Sequence, residues 1–389
     1  MRKLMTLTAA TLIAATPAVA EGAKVGMITT LSGPDAAVGM DIRDGFLLAL
    51  TRAGREEITL QVADDEGTPE RAAEIADTMI QTDDVDVLTG IIRSDIAMAV
   101  VPAALAQGRF YLSPYAGPSE LAGAGCQPNF FSLAWQNDNL HEAAGAYASE
   151  TGYTNSFLLA PDSPAGTAAV AAYKRFYKGN IAGELFTQPD QTDYSAEIAQ
   201  IRASGADSVF FFLPVQMSVR FLRQYAESAV GIPLIGPALS FDQHILNDAG
   251  GAALSLKNTA QWSKDLDNPA NHAFVAAFRE TYGRLPSLYA AQAYDTANLL
   301  ISALDTADID DPDSFRLALE KAAFDSVRGK FSFAPNHYPV QDIYVREVFR
   351  EGDVLTNRIL TKVLNDHGDA YGQECVMQGR EQPAPTDQH

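Results

Sequence analysis

Positive charge is scarce in this chain, with 28 Lys and Arg against 49 Asp and Glu. A surface of that sign repels nucleic acid and anionic lipid, so neither is expected as a partner. Cysteine is nearly absent: Cys126 and Cys375 are the only two, and they do not form a C-x-x-C pair. Past the N-terminus no segment approaches eighteen consecutive apolar residues, so no spanning helix is expected there. Catalytic signatures are missing as well. There is no G-x-S-x-G elbow, no H-E-x-x-H helix and no phosphate-cradling G-x-x-x-x-G-K-S/T. VGMITTLSGPDAAVG, after the first apolar run, lacks the glycine spacing of a dinucleotide site. His141, His244, His272, His337, His367 and His389 stand at no metal-ligand spacing from one another, and DTADIDDPD lacks the glycine and terminal glutamate of a calcium loop. Neither a cofactor nor a metal is expected, and enzymatic readings are weakened.

What is present begins with MRKLMTLTAATLIAATPAVA, residues 1–20. A basic start, an apolar stretch and small residues at the end read as a signal peptide, which places the protein in the periplasm. Removing Arg2 and Lys3 leaves 26 basic against 49 acidic residues, a formal charge of −23. If the ligand is an anion, its capture needs a local positive site. Apolar residues make up 47% of the chain, and a mature length of roughly 370 residues suits two domains, each with its own core. In an exported protein an isolated pair of cysteines reads as one disulfide, Cys126–Cys375, the alternative being two separate buried thiols. Such a bridge would tie the far C-terminus to the first third of the chain, implying lobes that interleave in sequence.

Apolar runs alternate with amphipathic stretches. KVGMIT (24–29), ITLQVADD (58–65), VDVLTGII and RFYLS read as strands, with helices over 41–52, 69–81 and 95–107 between them. The alternation resumes near 138 through NSFLLA, IAGELF, DSVFFFL and IPLIG. Helices follow at about 269–283, 288–306 and 313–323, the last capped by Asp313. GKFSF, QDIYVREVFR and NRILTKVL read as antiparallel strands, and the segment after Gly379 as a disordered tail (379–389). Two such arrays predict an α/β protein with two doubly wound lobes.

Ligands of open α/β sheets sit beyond the carboxyl ends of the strands, where helix N-termini offer N–H groups and partial positive charge. Several strands here end in small or proline-containing turns: TLSGPDAAVG, GIIRSDIAMAV, LSPYAGPSEL and LAPDSPAG. Arg93 stands between a strand end and Ser94, a good helix N-cap, so the pair suits a carboxylate. Arg93 could equally be a surface residue paired with Asp95. Ala116 and Gly117 are small enough for a ligand to approach the main chain. Tyr115, Trp135 and Phe241 offer flat apolar walls, or belong to the core.

In order, the chain carries SGPDAAVG (32–39), VADDEGTPERAAEIA (62–76), SPYAGPSELAG (113–123), QTDYSAEIAQIRASGADSVFFF (191–212), PLIG (233–236) and YGRLPSLYAAQAYD (282–295). This order resembles the type I periplasmic solute-binding proteins of ABC importers, the Leu/Ile/Val-binding family, across nearly the whole chain. The AGPSELAG…C…FF…WQND pattern is most similar to the branch that handles aromatic and related acids. The resemblance implies two Rossmann-like lobes joined by three crossovers, near 132–136, 258–264 and 328–336. Lobe one then comprises 24–134 plus 264–329, and lobe two 135–263 plus 330–378. It also implies a monomer that closes on a small organic anion and delivers it to ABC permease subunits, or serves as the sensor input of a membrane receptor. Ser94 and the main chain of Ala116 are the implied carboxylate contacts. Pro118 stands where amino-acid binders often carry threonine, leaving Ser119 as a substitute. Ala238 and Gln136 stand where relatives carry acids that meet an ammonium group, so a non-amino carboxylate is the expected ligand.

Overall fold

The structure is a computed structural model and describes residues 22–377. The expected signal peptide and tail lie outside those residues. Lobe one is built on five parallel strands, β1 (Lys24–Thr29), β2 (Thr59–Asp64), β3 (Val87–Thr89), β4 (Phe110–Ser113) and β5 (Phe130–Ser132), in the order β2-β1-β3-β4-β5. The intervening helices are α1 (Ala36–Ala53), α2 (Pro69–Gln81), α3 (Ser94–Ala106) and the single turn α4 (Ser119–Ala122).

Lobe two repeats the plan. After α5 (Asn139–Glu150) come β6 (Asn155–Pro161), α6 (Pro164–Phe176), β7 (Asn180–Thr187), α7 (Ser195–Ala203), β8 (Ser208–Phe211), α8 (Val215–Ser228), β9 (Leu234–Pro237), α9 (Gln243–Ala249) and β10 (Lys257–Ala260). The parallel order β7-β6-β8-β9-β10 matches that of lobe one, strand for strand. The chain then returns to lobe one with α10 (Pro269–Tyr282), α11 (Leu288–Leu304) and α12 (Pro312–Glu320). It ends in lobe two with β11 (Phe331–Phe333), β12 (Pro339–Glu351) and β13 (Val354–His367), antiparallel strands that extend the sheet beyond β10. Among the described residues no helix is long and apolar enough to cross a membrane.

Helix α11 lies along α1. The approach is close enough that a Cβ on Gly45 would sit 2.1 Å from the Ala290 carbonyl oxygen, so only glycine fits at that crossing. Three helix starts differ from expectation. The first helix begins at Ala36 rather than 41, because the turn after Pro34 already points the chain into it. Helix α12 is capped by Asp311, whose carboxylate accepts from the Ser314 N–H at 3.3 Å; Asp313 lies in the first turn and pairs with Arg316. At α3 the cap position is Arg93, and Ser94 is the first helical residue.

The chain passes between the lobes three times, after β5, after β10 and between α12 and β11. One buried guanidinium joins the first and third passages. Arg328 donates through Nε to Asp295 of α11 at 2.9 Å, and through Nη1 to Gln341 at 2.9 Å and to the Leu133 carbonyl. Gln341 in turn donates to the Ala134 carbonyl at 2.7 Å. The Cys126–Cys375 disulfide forms, fastening the segment after β13 to the loop that precedes β5.

Candidate ligand-binding cleft

In both sheets the strand order reverses beside the first strand of the lobe, the position where doubly wound folds bind ligands. The candidate site therefore lies at the carboxyl ends of the two sheets, and α1 of lobe one meets α9 of lobe two through Asp41 and His244.

On the lobe-one side, the α3 N-terminus and the loop after β4 are joined by a residue of the first crossover. Asn137 donates to Ser94 Oγ at 3.0 Å and accepts from the Gly117 N–H at 3.1 Å. The Gly117 N–H is thereby occupied. Ser94 has its lone pair engaged and keeps its own hydrogen for an acceptor. Gly117 is small for a reason other than ligand access, since a Cβ there would lie 2.0 Å from the Trp135 carbonyl oxygen. Arg93 is committed in a two-point pair to Asp95, both about half exposed, so the positive residue offered by the sequence is a surface pair here. Ser119 lies against Glu120 at the start of α4.

Tyr115 leaves β4 and packs between two other rings, those of Trp135 and Tyr289, with both centroids 5.2 Å away. Ala116 is buried behind it, its carbonyl accepting from Ser113. Trp135 is itself buried, and Phe241 is wholly inside lobe two, packed on Phe211. Of the three aromatic residues singled out from sequence, Tyr115 and Trp135 come together and Phe241 does not join them. Gln136 is buried, with its Nε2 unpartnered. Gln261, beside Trp262 in the second crossover, and Gln292, one turn beyond Tyr289, have no side-chain partner at all. Buried amides of this kind are costly in a finished core and natural at a ligand site.

The charged part of the cleft was not expected from sequence. Asp41 on α1 faces His244 on α9 at 2.9 Å and also pairs with Arg284, which reaches Asp44 at 2.7 Å. Burial alone would lower the His244 pKa, but the Asp41 carboxylate outweighs it and holds the imidazole above its ordinary value. Burial likewise disfavours charge on Asp41, and His244 and Arg284 more than offset this, leaving its carboxyl below the usual range. Next to them lie Asp242 and Arg346, both buried, with Arg346 Nη2 3.7 Å from Asp242 Oδ1. Arg346 is pinned by Asn258 and by the Trp262 carbonyl, each at 2.9 Å. Burial pushes the Asp242 carboxyl up despite Arg346 and His244.

Arg346 escapes sequence reading because it sits in a strand of alternating residues. That strand is paired on both sides, with β10 and β13, and Val345 and Arg346 are both buried although they point to opposite faces. Asp242 looks like an ordinary N-cap for α9, yet its side chain makes no capping bond. The signal for Arg284 and Tyr289 was the order R-x-x-S-x-Y in YGRLPSLYAAQAYD, polar and aromatic residues spaced along one helix start.

Residues 22–353 match the family described as periplasmic binding protein. The chain belongs to the periplasmic binding protein family. It is a solute-binding protein of the ABC transporter kind, and such proteins work outside the cytoplasm. This periplasmic binding protein is 26% identical over 372 residues to Leu/Ile/Val-binding protein homolog 6 of Brucella suis, covering 91% of this chain and 94% of that one. It is 29% identical to an R. palustris solute-binding protein solved in complex with benzoate, with a TM-score of 0.83 over 91% of this chain and 99% of that chain. A second solved solute-binding protein, from Rhodopseudomonas palustris BisB5 in complex with 3,4-dihydroxybenzoic acid, is 26% identical, with a TM-score of 0.80 over 90% and 99%.

Proposed function

We propose that this protein captures a small aromatic carboxylate between its lobes and delivers it, as an exported monomer, to the membrane subunits of an ABC permease. The observation that carries this reading is the ring cluster of Tyr115 between Trp135 and Tyr289, two residues before the Gly117 that Asn137 ties to Ser94. Flat rings pack on such walls, and a donor hydroxyl at a helix N-terminus suits a carboxylate. The benzoate complex of the R. palustris protein supports the same chemistry.

An acid, Asp242, does stand beside Arg346. Asp242 faces a guanidinium, and an ammonium group placed beside it would be repelled by Arg346 and His244. The competing reading, an amino-acid binder, draws on the unpartnered Asp242 Oδ2 and on the Brucella suis relative. A thermal-shift panel of benzoates, keto acids, amino acids and amides separates the two. The expected result is stabilisation by the benzoates; stabilisation by amino acids alone refutes the reading.

A further inference from the structure

Arg346 and Asp242 face each other without completing a bond. Their separation, 3.7 Å from Nη2 to Oδ1, is beyond hydrogen-bond reach. Arg346 Nη2 and Asp242 Oδ2 are both buried and both lack a hydrogen-bond partner. Arg346 cannot swing to improve matters, because Asn258 holds its Nε and the Trp262 carbonyl its Nη1. The result is one free donor and one free acceptor, close enough for a single atom to touch both. They line one small pocket together with Pro286, which stands on the lobe-one segment that leads into Tyr289.

Charge decides what can sit there. A carboxylate would satisfy Arg346 and be repelled by Asp242, and an ammonium would meet the reverse. A hydroxyl donates once and accepts twice, so it matches both orphans at no electrostatic cost. Asp242 also bears on Tyr115 and Tyr289, whose hydroxyls are raised by burial first and by this carboxylate in addition. The link to the aromatic wall is geometric as well: the His244 ring, two residues beyond Asp242, lies parallel to the Tyr289 ring with centroids 6.2 Å apart.

We infer that Asp242 and Arg346 form a reader for a ring hydroxyl: the ligand O–H donates to Asp242 Oδ2 and its oxygen accepts from Arg346 Nη2. This rests on the aromatic-carboxylate reading and narrows it to hydroxylated benzoates.

The test is calorimetric titration of the wild-type protein with benzoate, 3-hydroxybenzoate, 4-hydroxybenzoate and 3,4-dihydroxybenzoate, repeated on Asp242→Ala. A hydrogen bond to a charged group corresponds to about ten- to hundredfold in affinity. At least one hydroxybenzoate is expected to bind wild type that much more tightly than benzoate, and the ratio is expected to collapse toward one in the variant. Equal affinities in wild type overturn the inference while leaving the aromatic-carboxylate reading intact, since a water then fills the place. A hydroxyl preference that survives Asp242→Ala overturns the assignment to this pair. Binding of none of the four overturns both. If Asp242→Ala does not fold, Arg346→Lys, which keeps the charge but loses the fixed Nη2, makes the same comparison.

Discussion

Asp41 on α1 and His244 on α9 meet across the cleft, with Nε2 and Oδ2 2.9 Å apart. One belongs to each lobe, so the contact ties the two lobes together. His244→Ala removes it and leaves Asp41 paired with Arg284. The expected outcome is a more open unliganded protein and about tenfold weaker ligand binding, checked by small-angle scattering and titration calorimetry.

The same contact gives closure a pH dependence. His244 faces Asp41, Asp242 and Arg284, and its folded pKa is raised above 6.5. A raised pKa means the contribution is complete below the ordinary value and lost as pH rises through the raised one. Ligand affinity is therefore expected to weaken on going from pH 6 upward through that range, and His244→Asn to flatten the profile.

His141 acts in the opposite sense on stability. Burial against Phe210 and Phe212 lowers its pKa from 6.5 to about 4. A depressed value means the unfolded chain takes up the proton first, so stability is full above 6.5 and falls as pH drops toward 4. The loss is about 2–3 kcal/mol. Urea unfolding at pH 7 and 4.5 is expected to show that drop, smaller in His141→Leu.

At the interlobe joint, Arg328→Ala leaves Asp295 buried without its counter-charge. The expected cost is about 3–5 kcal/mol, read by denaturant unfolding.

Much of this architecture is legible in the sequence because it follows from periodicity. The runs KVGMIT and DSVFFFL, and the caps Thr68 and Ser163 ahead of proline, announce strands and helices locally. The cysteine pair also reads correctly, since an exported chain with two cysteines has few alternatives. The cleft is legible only in part. Ser94, Tyr115 and Trp135 follow strands at recognisable turns. Arg346 depends on Asn258 and the Trp262 carbonyl, which lie more than 80 positions away, Asp41 on the face α1 turns toward lobe two, and Asn137 on a crossover that brings residues 43 positions apart together. No local pattern encodes these. Arg93 reads two ways, because a charged residue at a strand end looks the same whether it serves a ligand or the nearby Asp95, and in the structure it pairs with Asp95.

The disulfide closes a loop of sequence separation 249, so its loss is expected to be felt strongly. The double change Cys126→Ser with Cys375→Ser should cost about 2–5 kcal/mol, with a matching fall in Tm when the wild-type protein is reduced.

The most direct test of the central claim is equilibrium titration of the purified protein with benzoate and with L-leucine under one buffer condition. Saturable one-to-one binding of benzoate and none of leucine is expected from a ring-lined cleft in which Arg346 and His244 oppose an ammonium group. Saturable binding of leucine with none of benzoate would contradict it.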